Sequence, residues 1–151
     1  MKNNSNILLN LNSLLVMNYE AEKVYVELVD NVDDDELIYF FKENSAKRKT
    51  FIDALKSEIL KLDGDYNTGV RAPSELYHSW LRIRKLMIKP GNDEGLIREI
   101  RATQTVTIEK YNDLLRMLGL PLSVCKLLMI QRDVIQNAKD AIDRHDLITF
   151  N

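Results

Sequence analysis

Apolar residues return every three or four positions along most of the chain. That spacing predicts helices with one buried stripe each. Leu11, Leu14, Leu15, Tyr25, Leu28 and Val29 carry the first stripe, on a helix over about 6–31. The acidic break Asp33-Asp34-Asp35 follows, and an Asp there is suited to cap the next helix. The second helix spans about 34–62, with Leu37, Phe40, Phe41, Phe51, Leu55, Ile59 and Leu62 inward. Asp63-Gly64-Asp65 stops it, Gly64 being placed for a left-handed C-cap. Pro73-Ser74-Glu75 opens a short helix over about 74–88, which ends before Pro90-Gly91. It is too short to be a bundle partner and should cross an end or flank of the bundle, anchored by Trp80.

Two further long helices follow, over about 92–118 and from 122 to about 143 or beyond, separated by Gly119-Leu120-Pro121. Their stripes are Ile97, Ile100, Ile108, Tyr111, Leu114, Leu115 and Leu118, then Val124, Leu127, Leu128, Val134, Ile135, Ala138 and Ile142. The tail, about 146–151, should fray. The expected architecture is all-α, one domain over 1–151. It is an antiparallel four-helix bundle with an extra short helix between the second and third long helices.

Each stripe is interrupted near mid-helix. Asn18 and Glu22 interrupt the first, Asn44 and Arg48 the second, Gln104 and Thr107 the third, and Gln131 the fourth. In an antiparallel bundle these positions meet at one level. An unpaired polar group buried there costs roughly 1–3 kcal/mol, so the layer needs a reason. One reason is a metal, cofactor or small-molecule site. The other is a closed network that fixes register, with Glu22 paired to Arg48 and supported by Asn44, Gln104 and Gln131. The residue types favour the network, because Arg48 brings a positive charge that opposes a metal cation. A carboxylate di-metal site in a bundle typically needs two Glu-x-x-His pairs and two further Glu. No Glu-x-x-His occurs, and His78 and His145 lie away from the layer.

Composition narrows the field further. A net charge of −2 with no long basic run gives nucleic acid and membrane surfaces no purchase. Cys125, the single cysteine, can form neither an internal disulfide nor a thiolate cage, which suits a cytoplasmic protein. No apolar stretch approaches a membrane span, and there is no glycine-rich phosphate loop.

Several stretches together resemble a bacterial ferritin-like family of four-helix-bundle proteins of unknown function. They are Leu11 to Leu15, Glu20 to Tyr25, Phe41 to Arg48, Leu60 to Gly64, Leu76 to Trp80 and Leu120-Pro121. The resemblance implies the ferritin-like fold and no settled activity. Where the wider superfamily places metal ligands, this chain offers Glu20 or Glu22, Glu43, Gln104 and Gln131. That set makes Glu20, Glu22 and Glu43 weak candidates for iron or manganese.

The function expected from the sequence is a non-enzymatic structural, stress-related or interaction protein without a cofactor. The alternative is a degenerate carboxylate metal-binding protein. Self-association as a homodimer or larger assembly is expected, with Tyr77, Trp80 and Met87 on the short helix as the candidate interface.

Overall fold

The computed structural model describes the backbone of residues 2–66, 69–89 and 91–150, and side chains over 4–66, 69–89 and 91–144. Its elements are α1 (Lys2–Val29), α2 (Asp35–Lys61), α3 (Ser74–Met87), α4 (Asp93–Leu115) and α5 (Leu122–Phe150). The described residues contain no strand. The helix boundaries differ from the sequence expectation by a few residues. The largest difference is at α5, which runs on through 146–150, where fraying was expected. Pro90, Asn67, Thr68, Asn151 and the side chain of His145 lie outside the described residues.

Each long helix carries one buried seam whose spacing alternates between three and four. In α1 it is Ile7, Leu11, Leu14, Asn18, Ala21, Tyr25 and Leu28. In α2 it is Leu37, Phe41, Asn44, Arg48, Phe51, Leu55 and Glu58. In α4 it is Ile97, Ile100, Gln104, Thr107, Tyr111 and Leu114, and in α5 Val124, Leu128, Gln131, Ile135, Ala138 and Ile142. This heptad-like alternation keeps a narrow seam facing the partners along nearly parallel axes, as in four-helix bundles.

Side-chain pairs fix the directions. Asn18 of α1 meets Tyr111 of α4, while Tyr25, farther along α1, meets Gln104, so these helices run antiparallel. Arg132 bonds Asn112, and Arg101 pairs with Asp143, which makes α4 and α5 antiparallel too. The helices α2 and α4 therefore run the same way, and the connection between them must return along the bundle. The helix α3 makes that return in the groove between α1 and α4. Leu76, Trp80 and Ile83 point inward. Arg84 pairs with Glu27 of α1, and Arg82 with Glu99 of α4. It thus lies on a flank.

Two helix ends show how local chemistry sets the entries to the bundle. Asp34 caps α2 as the sequence suggested, its Oδ1 accepting from the Leu37 amide at 3.0 Å. At the other end of α2 the left-handed residue is Asp63 (φ 57°), not Gly64. The Asp63 amide donates to the Leu60 carbonyl, and the Gly64 amide to that of Ile59, the Schellman pair. Gly64 is needed for space instead. A Cβ there would lie 2.3 Å from Leu8 Cδ2 and 3.1 Å from the Ile59 carbonyl oxygen.

Candidate functional site: the polar layer of the core

Of the interruptions foreseen, Asn18, Arg48 and Gln131 are joined across the bundle, through Tyr111. Arg48 Nη1 of α2 donates to Asn18 Oδ1 of α1 at 3.2 Å. Asn18 Nδ2 donates to the Tyr111 hydroxyl of α4 at 3.0 Å, and also to the Leu14 carbonyl. The Tyr111 hydroxyl donates to Gln131 Oε1 of α5 at 2.5 Å. Gln131 Nε2 returns to α2 by donating to the Phe51 carbonyl at 3.3 Å. Every long helix contributes, so the bonds form a ring around the bundle axis. Burial pushes the Tyr111 hydroxyl up to about 12, against smaller lowering effects from Arg48 and Asn18, so it stays a donor at neutral pH.

One helical turn or two away, a second set of polar groups is less well served. The guanidinium of Arg48, 3% exposed, sits 5.8 Å from the centre of the Tyr25 ring. That ring also stacks on Phe41 and meets Trp80 edge-on. The Tyr25 hydroxyl has no hydrogen-bond partner, and neither end of the Gln104 amide has one. Gln104 approaches the Tyr25 hydroxyl closely enough to oppose the upward push of burial on its pKa, as Arg48 does, but the two do not align as a hydrogen bond. Thr103 and Thr107 spend their hydroxyls on carbonyls of α4 itself.

The expected pairing of Glu22 with Arg48 does not form. Glu22 falls outside the α1 seam, which passes from Asn18 to Ala21, and is only half-buried. The guanidinium has one hydrogen bond among the described residues, to Asn18, and no carboxylate partner. Asn44 is buried but bonds the Phe40 carbonyl one turn back, so it does not support Arg48. The network that closes runs through Tyr111 instead. Tyrosine reads as apolar in a stripe, and nothing in the spacing marked its hydroxyl.

The same donor set tests a ferritin-type metal centre. The ring presents an arginine, an asparagine, a tyrosine and a glutamine, a neutral and cationic set unsuited to a divalent cation. Among the described residues no three His, Cys, Asp or Glu side chains converge. Glu43 pairs with Lys47 at 2.7 Å near the surface, which holds its carboxyl below the usual range. Glu20 faces a different groove, with Arg71, Tyr77 and Arg84. Trp80 is 3% exposed and belongs to the core, so it cannot serve as a surface patch; Met87 packs on that core, and only Tyr77 stands out.

Comparison with known proteins gives a family and a fold. Residues 6–117 match the family described as a domain of unknown function (DUF2383), a stretch that holds all but the first turn of α1 and all of α2 to α4, but not α5. Among solved structures, one described as a dodecameric thioferritin, the bacterioferritin-related protein from Bacteroides fragilis, superposes with a TM-score of 0.73. It covers 97% of this chain and 86% of its own at 12% identity, a likeness of fold alone. None of the curated proteins matches the sequence.

Proposed function

Because the chain belongs to the DUF2383 family and folds as a ferritin-like bundle, we propose that it is a non-enzymatic protein that associates with copies of itself. Its work is structural or as an interaction partner, without an oxidase centre. The observation that carries this reading is the ring from Arg48 through Asn18, Tyr111 and Gln131 to the Phe51 carbonyl. It fills the level a metal centre would need with groups already committed to one another. The dodecameric relative lends support to assembly. So do Leu60, Leu118 and Leu122, which are exposed at the end where Ser123 of α5 bonds Glu58 of α2.

Purification from iron- and manganese-rich medium, followed by metal analysis and light scattering, tests both halves. The expected result is an oligomer with substoichiometric metal, unchanged by Glu22→Ala or Glu43→Ala. Leu118→Ser with Leu122→Ser should shift the mass downward. Stoichiometric metal lost in Glu22→Ala overturns the first half, and a monomer at high concentration the second.

A further inference from the structure

A buried charge with no counter-charge is the least settled feature of the core. Arg48 cannot shed its proton, and removing such an ion from water costs several kcal/mol unless it is paired. No carboxylate reaches it among the described residues. Its guanidinium lies over the Tyr25 ring, and the Tyr25 hydroxyl and the Gln104 amide next to it have no hydrogen-bond partner. Neither tyrosine supplies the missing charge, because burial keeps both hydroxyls neutral.

We infer that Arg48, the Tyr25 hydroxyl and Gln104 Nε2 form a binding site for one small monovalent inorganic anion, of chloride to nitrate size, in the middle of the bundle. Three buried donors from three helices lie near one another, one of them cationic, and a single negative charge neutralises it. Water alone would satisfy the hydroxyl and the amide but leave the guanidinium uncompensated. A water accompanying the anion would serve Gln104 Oε1, the remaining unpartnered atom. The bundle axis, where related folds gather carboxylates around cations, is thereby reversed in sign. The inference stands whether or not chains associate.

The test is thermal unfolding of the full chain at constant ionic strength, with sodium gluconate replaced stepwise by chloride, bromide or nitrate. A ligand that binds only the folded state raises Tm with the logarithm of its concentration, by about 3–6 °C at roughly ten times its dissociation constant in a chain this long. Tyr25→Phe and Gln104→Leu should each weaken the response, and Arg48→Met should abolish it. Crystals grown in bromide should show an anomalous peak between Arg48 and Tyr25. Should Arg48→Met not fold, the same titration in Tyr25→Phe decides the matter. Equal Tm in gluconate and chloride overturns the inference. So does an anion response of full size in the Tyr25 and Gln104 variants, or bromide confined to the surface.

Discussion

Tyr111 holds more of the layer together than any other single residue. Its hydroxyl accepts from Asn18 and donates to Gln131, so Tyr111→Phe leaves Gln131 Oε1 without a donor and Asn18 Nδ2 with its Leu14 bond alone. The expected loss is about 1–3 kcal/mol at neutral pH by urea unfolding. The same hydroxyl predicts alkaline behaviour. An unfolded tyrosine ionises near 10.0, the folded one near 12. Below pH 10 both states are protonated and stability is unaffected. Above it the unfolded state loses its proton first, so stability falls, by roughly 3 kcal/mol in all by pH 12. The Tyr111→Phe protein should lose that part of the alkaline slope. Glycines give a second test. Gly64→Ala should destabilise, since its Cβ meets Leu8 in a packed contact. Gly95→Ala meets only the movable side chain of Asn92 and should stabilise α4 by about 0.5–1 kcal/mol. At this scale the sequence disclosed Asn18, Arg48, Gln104 and Gln131, because a polar residue inside an apolar stripe is conspicuous. Tyr25 and Tyr111 were hidden by their rings. Glu22 misled because it lies four residues from Asn18, a helical neighbour that nonetheless falls beside the seam.

Among the elements, α3 is the one whose position rests on few side chains. Trp80 packs edge-on against Tyr25, with Leu76 and Ile83 one turn to either side. Its flanking ion pairs to Glu27 and Glu99 are partly exposed and contribute little. Trp80→Ala should therefore cost about 3–5 kcal/mol and loosen α3 before the long helices, seen as faster amide exchange over 76–87. Glu27→Gln should change stability by less than about 1 kcal/mol. The existence of all five helices was legible from stripe length and from breakers such as Pro73 and Gly119. The C-cap of α2 was not, because Asp63 adopts the left-handed conformation that Gly64 was expected to supply. The glycine answers a contact with α1, and a contact across the chain leaves no local mark.

For the whole molecule, the weak seam is between α2 and α5 at the end nearest the α1–α2 turn. A groove of about 440 Å³ separates them there, lined by Phe40, Asn44, Ala138, Ala141 and Ile142 among others. Small residues on α5 leave α2 nothing to close upon. In that stretch α5 leans on α4 through Arg101 and Asp143. Hydrogen exchange should accordingly be faster over 137–144 than over 124–135, where Gln131 ties α5 into the ring. Uniform protection along α5 would contradict this. The pairing of helices into two hairpins was readable from short acidic or Gly-Pro turns. The flank chosen by α3 was not, since it depends on where Tyr25 presents its edge.

The ring around the axis also has a polarity. It starts at a guanidinium, which can only donate, and ends at a peptide carbonyl, which can only accept. Two of its intermediate links are amides, whose nitrogen and oxygen cannot exchange roles without turning over inside a packed core. Proton hopping needs a file of groups that can each take a proton on one side and release it on the other, then reset. Of the members here only Tyr111 could do so, and its neighbours cannot reset. The middle of this bundle is thus an insulator for protons: four helices locked together by a file of hydrogen bonds along which no charge can travel.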